Sequence, residues 1–293
     1  MNSWIVGVDL RHRSDGAVRF GAWLRAQTGG AIELVGVHVA PTDVVDQLDQ
    51  FEGRVRVRER LKTEAELAMD RAGVRDAYAE VELIEADEPA EALANARAGR
   101  TAVGLIVGRK AASDGRDLVR LGSVARRLLQ RLVVPTFVVP PDLAADQLGS
   151  GPIVVAVTPA DASAGAVEVG AAMARALGRP LVFVRVVSVP EEYTQIYWST
   201  DALAQFKGQT IAAAKDRSAE WLADHGRSEP VVVRYGDTIT EILAVAAEQG
   251  APFLVCGSRL LSRVERVIAL STSSELAARA AIPVLVVPPD ARA

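Results

Sequence analysis

The amino-acid sequence predicts an α/β protein made of two copies of one domain, each with a five-stranded parallel sheet sandwiched by helices. Two observations lead to this prediction. Short β-branched runs alternate with longer helical patterns, which is typical of βαβ units and a parallel sheet. The whole pattern then occurs a second time within 293 residues, a length sufficient for two ordinary domains.

The repeat is visible in three pairs of segments that keep the same order along the chain. VVPTFVVPPD at Val133–Asp142 returns as AIPVLVVPPD at Ala281–Asp290, an offset of 148 residues. Two shorter pairs, IVGVD with VVAVT and LIVGR with LVCGS, repeat at an offset of 149. The sequence therefore predicts domains over residues 1–141 and 152–293, joined by a linker over residues 142–151.

The predicted elements follow each other in the same order in both copies. In the first copy we expect strands at Trp4–Val8, Ile32–Val39, Ala79–Leu83, Leu105–Val107 and Thr136–Val139, and helices at Asp15–Gln27, Val44–Ala72, Glu88–Ala98 and Ser123–Arg131. In the second copy we expect strands at Ile153–Val157, Leu181–Val187, Val231–Arg234, Phe253–Cys256 and Val284–Val287, and helices at Ser163–Leu177, Glu192–His225, Thr238–Gln249 and Ser273–Ala281.

Particular features of these segments justify the assignment. The fourth and fifth strands of each copy are continuous apolar runs, as expected of strands buried on both faces. Right-handed crossovers then produce a doubly wound, Rossmann-like sheet, whose ligands bind beyond the carboxyl ends of the strands. The two longest helical patterns are charged and exceed a typical helix, so we expect breaks near Phe51–Gly53 and Tyr193–Ser199.

Composition and charge exclude several classes of protein. The net charge is −4 and no basic block stands out, which argues against a nucleic-acid partner. A single cysteine, Cys256, excludes a disulfide framework, and the three histidines have no metal-ligand spacing. No apolar run approaches the ~20 residues of a membrane-spanning helix. We therefore expect a cytoplasmic protein without a membrane partner.

Two segments near strand ends are candidates for ligand binding. Asp9 ends the first strand, where a carboxylate can contact a ribose or base or help to hold Mg²⁺, although a helix cap or turn explains it equally. The stretch Gly108–Val124 follows the fourth strand and carries glycines, basic residues and a predicted helix start at Ser123. Such a loop can bind phosphate through backbone N–H groups, or it can be a solvated loop whose serine caps the helix.

These segments resemble the universal stress protein family. That family has Gly-x2-Gly-x9-Gly-Ser/Thr after the fourth strand, an aspartate closing the first strand, and a hydrophobic-His-Val end to the second strand. GSVARRLLQRLVVPTFVV at Gly122–Val139, VDL near the amino terminus and VHV at Val37–Val39 are similar to these elements. In ATP-binding members, the aspartate and the valine backbone approach adenine, and the glycine loop holds ribose and phosphates.

The resemblance implies ATP, with or without Mg²⁺, or a related adenine nucleotide as the ligand of the first copy, on an adenine nucleotide α-hydrolase-like fold. The residues that it assigns to nucleotide binding are Asp9, Val39, Gly108, Arg109, Gly122, Ser123 and Val124. It also implies that the fifth strands of the two copies pair as in a dimer, and that two chains form a homodimer.

The sequence departs from the family pattern in both copies. In the first, Ala111 stands at the second motif glycine and the spacer is one residue longer. In the second, Thr158 replaces the aspartate, and Leu260 and Leu270 stand at two glycine positions, so we expect weak nucleotide binding or none there. Three functions stay open: a stress-response protein that binds ATP without efficient turnover, a slow ATPase, and a protein-interaction module without nucleotide.

Overall fold

The computed structural model describes residues 2–100, 102–110, 117–189, 200–258 and 271–291. The strands are β1 (Asn2–Gly7), β2 (Ile32–Ala40), β3 (Glu80–Glu85), β4 (Gly104–Gly108), β5 (Thr136–Val139), β6 (Ile153–Ala156), β7 (Leu181–Val187), β8 (Val231–Tyr235), β9 (Leu254–Gly257) and β10 (Val284–Val287). The helices are α1 (Asp15–Gln27), α2 (Thr42–Glu52), α3 (Arg54–Arg71), α4 (Pro89–Arg100), α5 (Asp117–Gln130), α6 (Ala164–Ala176), α7 (Thr200–Asp224), α8 (Thr238–Glu248) and α9 (Thr272–Arg279).

All ten strands form one sheet, in the order β3-β2-β1-β4-β5-β10-β9-β6-β7-β8. Within each half, neighbouring strands are parallel, and the strand order is the same in both halves. The prediction of two Rossmann-like units, each with a five-stranded parallel sheet, is confirmed. The two units share one continuous sheet because their fifth strands pair.

The seam between the halves is the antiparallel pair β5–β10. Phe137 lies opposite Leu285 in this pair, and Leu285 is also the counterpart of Phe137 in the sequence repeat. A pseudo-twofold axis therefore passes through this pair of residues, as the resemblance to dimeric relatives implied. Rings from both halves pack around it: the Phe137 centroid lies 4.7 Å from Phe20 and 5.2 Å from Phe253.

Each face of the sheet carries one hydrophobic cluster that runs through both halves. Helices α1, α3, α6 and α7 cover one face, and α4, α5, α8 and α9 cover the other. Strand residues alternate between the two clusters, so that Trp4 and Val6 face one side and Ile5 the other. Burial on both faces explains the continuous apolar strands of the sequence.

Among the described residues, the largest differences between the helices and the sequence prediction are in two places. The long pattern over 44–72 is two helices, and the predicted break is confirmed at Gly53, whose φ of 82° suits glycine. Helix α5 begins at Asp117, six residues before the predicted start, and Gly122 interrupts it with φ 74° and ψ 171°. The predicted break at Tyr193–Ser199 lies outside the described residues.

The start of α3 is held to the end of β3 by ion pairs. Glu85 accepts hydrogen bonds from the guanidinium groups of Arg54 and Arg58. The hydrogen bond from Arg54, reinforced by Arg58, lowers the pKa of the Glu85 carboxyl below its ordinary value. The group therefore stabilises the folded chain above the pKa that it has when unfolded, and the contribution is lost as the pH falls through the folded pKa.

Replacing this carboxyl gives a pH-dependent loss of stability. We expect Glu85→Gln to lower the free energy of unfolding at pH 7 and to have less effect at a pH below the lowered pKa of Glu85, where the wild-type carboxyl is also protonated. Urea unfolding followed by circular dichroism at both pH values measures this difference. The matched control is Glu64→Gln, at an exposed residue of α3, which should show no such dependence.

Close packing explains a glycine that occurs at the same place in both halves. A Cβ on Gly16 would lie less than 3.0 Å from the carbonyl oxygen of Pro140, and a Cβ on Gly165 would do the same at Pro288. These helix residues touch the segment that follows the fifth strand of their own half. The amino-terminal end of α1 and α6 can approach the sheet only without a side chain.

We expect Gly16→Ala to lower the free energy of unfolding by about 1–3 kcal/mol because the new methyl group must displace backbone. Gly208 lies inside α7 with no atom near its position for a Cβ, so Gly208→Ala should stabilise the chain by about 0.5–1 kcal/mol. Chemical denaturation of both variants measures the difference. Equal effects of the two substitutions would contradict this account of Gly16.

Candidate nucleotide-binding site

A cavity of about 770 Å³ opens at the carboxyl ends of β1, β2 and β4. This volume lies in the range of small-molecule sites, roughly 300–1,000 Å³. The cavity is lined by every residue that the sequence assigned to nucleotide binding, namely Asp9, Val39, Gly108, Arg109, Gly122, Ser123 and Val124. The fold therefore brings together residues from segments that are far apart in the sequence.

Asp9 lies in a tightly fixed turn after β1. Its backbone N–H donates to the buried hydroxyl of Ser14 at 2.9 Å, and that hydroxyl donates to the Asp9 carbonyl at 3.1 Å. One carboxylate oxygen of Asp9 accepts from the N–H of Arg11 at 3.1 Å. The turn thus fixes the backbone and one carboxylate oxygen, and the half-buried side chain lies in the wall of the cavity.

His38 lies beside this turn and is packed, as expected from its place in a strand. It is buried, and its Nδ1 lies 2.9 Å from the carbonyl oxygen of Val8. Because a carbonyl can only accept, Nδ1 carries a proton in this contact. The imidazole therefore links the ends of β1 and β2 under the cavity floor.

Gly108 has a structural reason to be glycine that involves no ligand. A Cβ at this position would lie 2.5 Å from the carbonyl oxygen of Arg13, in the turn after β1. In the second half, a Cβ on Gly257 would collide with the carbonyl of Ala162 in the same way. The first glycine of the motif is therefore needed for packing in both halves, whether or not a ligand binds.

Gly122 and Ser123 lie where the helix restarts beside the cavity. The backbone of Gly122, with φ 74° and ψ 171°, is in a region that is essentially restricted to glycine. The helical segment beyond it begins at the cavity wall, and first-turn N–H groups of a helix carry positive partial charge. Ser123 is exposed, and its hydroxyl has no hydrogen bond to the described residues.

Arg109 lies in the wall but its guanidinium extends to the other half of the chain. Its backbone N–H donates to the carbonyl of Val139 at 2.9 Å, which continues the β4–β5 ladder. Its guanidinium donates to the carbonyls of Ala278 and Ala280, at 2.7 Å for the latter. The sequence predicted a ligand contact for this side chain, and the cross-half contact was not predicted.

The wall of the cavity has an apolar part and a basic part. Its apolar part comes from the ends of β1, β2 and β4 and from α2–α5, and includes Val37, Val39, Ala40, Pro41, Val44, Leu61, Pro89 and Leu93. Its basic residues are Arg11, Arg13, Arg109, Lys110 and Arg126, and Asp9 is the one acidic residue among the described lining. The sequence analysis missed Arg11, Arg13 and Arg126. Arg126 lies one helical turn after Ser123, and this spacing could have identified it from the sequence as a residue that faces the cavity.

Comparison with known protein families finds one match in each half of the chain. The universal stress protein family model matches residues 2–140 and again residues 150–288. The chain belongs to the universal stress protein family. It is a tandem member, as the repeat and its resemblance predicted.

Solved structures similar to this tandem universal stress protein cover nearly the whole chain. A universal stress protein from Archaeoglobus fulgidus DSM 4304 is 21% identical, covers 98% of each chain and has a TM-score of 0.69. A functionally unknown protein from Pseudomonas aeruginosa PAO1 is 14% identical, covers 99% of this chain and 93% of its own, and has a TM-score of 0.64. These similarities show the fold. No curated protein sequence matches the chain significantly.

A shorter structure matches one half. It is a universal stress protein in complex with cAMP, 20% identical, which covers 48% of this chain and 99% of its own with a TM-score of 0.32.

Among the described residues of the present chain, no cluster of three or more histidine, cysteine or acidic side chains could hold a metal ion. None of the described helices is long and apolar enough to cross a membrane.

The second half of this universal stress protein keeps the turn but changes its chemistry. Thr158 replaces Asp9, and its N–H donates to Ser163 at 3.0 Å as Asp9 does to Ser14. Leu260 and Leu270 lie outside the described residues. Cys256 is buried as expected, and burial raises the pKa of its thiol to about 12, so the thiol stays protonated at neutral pH.

Ser271, the counterpart of Ser123, has a different role in the second half. It is the N-cap of α9, and its hydroxyl accepts a hydrogen bond from the N–H of Ser274 at 3.3 Å. In the first half Gly122 occupies the non-helical position, which leaves Ser123 beside the cavity. Ser271 therefore caps a helix in the second half, whereas its counterpart Ser123 lines the cavity of the first half and is available to a ligand.

Substitution of the two serines tests this difference. We expect Ser271→Ala to lower the free energy of unfolding by about 1 kcal/mol because a helix cap is lost. Ser123→Ala should change it by less than roughly 0.5 kcal/mol, as for other surface substitutions. Urea unfolding of the ligand-free protein gives both values. A comparable loss in the two variants would mean that both serines act as caps.

Proposed function

We propose that this protein is a stress-response regulator that binds ATP, or a related adenine nucleotide, in the cavity of its first half without efficient turnover. The observation that carries the proposal is the cavity itself. It combines an apolar part large enough for a base with a basic part suited to phosphates. Both parts meet at the carboxyl edge of a doubly wound sheet, where such sheets bind ligands.

Each end of a nucleotide has a suitable surface in this cavity. The half-buried Val39, with Val37 and Ala40, offers apolar contact to a purine ring. Lys110 and Arg126 lie in the wall near Gly122, where a helical segment begins. Phosphate is favoured there because positive side chains and helix N–H groups act together.

Hydrolysis has less support in the described residues. Phosphoryl transfer requires a group that positions or deprotonates water, usually with metal ligands. Asp9 is the one carboxylate among the described lining residues, and the N–H of Arg11 already donates to one of its oxygens. Mg²⁺ bound with a nucleotide would be held mainly by phosphate oxygens, and the other oxygen of Asp9 would be its protein ligand.

Separate substitutions at Asp9 and at its counterpart in the second half, Thr158, test the proposed ATP binding directly. We expect the wild type to bind about one ATP per chain, and Asp9→Asn to weaken binding by roughly 10–100-fold, the range expected when a hydrogen bond to a charged group is lost. Thr158→Ala, the matched control, should leave affinity and stoichiometry unchanged. Isothermal titration calorimetry with ATP, with and without Mg²⁺, measures all three proteins.

Other results would select a different function. Absence of binding at millimolar ATP, together with an unliganded mass in native mass spectrometry, would support an interaction module without nucleotide. Steady phosphate release that is lost in Asp9→Ala would support a slow ATPase. Two ATP molecules per chain would show that the second half also binds. The homodimer and the cytoplasmic location stay predictions, and light scattering of the purified protein tests the first.

A further inference from the structure

The guanidinium of Arg109 joins the cavity of the first half to a helix of the second half. Arg109 is one of the residues that line the cavity, yet the terminal nitrogens of its side chain donate to the carbonyls of Ala278 and Ala280. These carbonyls lie at the end of α9, whose last helical residue is Arg279. One residue therefore connects a candidate ligand site with a helix terminus in the other domain.

The helix end is a natural partner for this cation. The last four carbonyls of an α-helix have no donor within the helix, and together they carry about half a negative charge. An arginine near such an end satisfies the carbonyls and interacts favourably with the helix dipole. The end of α9 thus holds the Arg109 guanidinium, and Arg109 stabilises the end of α9.

Among the described residues, the contact exists in one direction only. Arg109 occupies the position after β4, and the corresponding residue after β9 is Ser258. A serine side chain is too short to reach across the pseudo-twofold axis to the end of α5 as Arg109 reaches α9. The link therefore runs from the first cavity to the second half, and the repeat has no reciprocal arginine at this place.

A phosphate in the cavity competes with the helix end for the same guanidinium. The helix terminus offers about half a charge, whereas a nucleotide phosphate offers at least one full charge and two oxygens in the geometry that arginine prefers. Arg109 is one of the residues that line the cavity, so a rotation of its long side chain decides which partner the guanidinium contacts. The comparison of charges favours the phosphate when the ligand is present.

We propose that Arg109 transmits nucleotide occupancy from the first half to the second by leaving the end of α9 when phosphate binds. The inference rests on the proposed nucleotide site and adds its regulation. The ligand-free state keeps the Arg109–α9 contact, and the bound state loses it. By reciprocity, anything that binds the second half and changes the end of α9 alters the affinity of the first half for nucleotide.

Hydrogen–deuterium exchange of the full chain tests the proposal. On saturation of the wild type with ATP, we expect exchange of amides in the last turn of α9 to accelerate on the order of tenfold, the effect of losing about one charge-assisted hydrogen bond. In Arg109→Gln, the same amides should exchange rapidly without ATP, and ATP should cause no further acceleration.

Arg126→Gln is the matched control because Arg126 also lines the cavity and, among the described residues, makes no ion pair or hydrogen bond across the halves. It should bind ATP more weakly and keep the acceleration in α9 at saturation. Slower or unchanged exchange in α9 of the ATP-saturated wild type would overturn the proposal, as would equal acceleration in Arg109→Gln. Calorimetry separates these outcomes from failure of the proposed function, which is the absence of ATP binding to the wild type.

Discussion

The antiparallel pairing of β5 with β10 is the constraint on which the arrangement of the whole chain depends. It turns two five-stranded sheets into one and places Phe137 opposite its own repeat counterpart, Leu285. The hydrophobic clusters on both faces then continue across the seam. Helix α5 of the first half lies against α9 of the second as a consequence. This contact brings the end of α9 close enough for Arg109, at the first cavity, to reach it.

The two halves share a scaffold and differ in the residues that face the strand ends. The buried serine after the first strand and the glycine after the fourth are present in both halves, at Ser14 and Ser163 and at Gly108 and Gly257. Backbone packing requires these residues whatever binds nearby. Positions with no such requirement have changed, since Asp9 corresponds to a threonine and Arg109 to a serine. Duplication of the fold thus preserved geometry without preserving the chemistry of the cavity.

Sequence patterns predicted the parts of this structure that depend on local order. Period, length and turn residues sufficed for the strands, for α1 and for the break at Gly53, because each follows from the residues that form it. At α5 they predicted the segment that begins at Ser123 but missed the helical residues 117–121 before Gly122, because the glycine interrupts the helix there. The basic residues of the cavity wall were predicted only in part. Arg11 and Arg13 were missed because they reach the cavity through a turn after β1 whose course depends on tertiary packing. The contact of Arg109 with α9 joins residues far apart in sequence and had no local signal.

The charge of the cavity wall argues for a ligand more strongly than its volume does. Among the described residues, five basic residues and one acidic residue line it, in a chain whose net charge is −4. Like charges gathered in one concave surface repel each other, and this repulsion destabilises the empty protein. A bound polyphosphate removes the repulsion, and a partial negative charge at a helix end removes part of it. The carboxyl end of α9 serves as that partial counter-charge for Arg109. The electrostatic attraction that draws a phosphate to a guanidinium therefore also explains why Arg109 lies against a helix end of the second half.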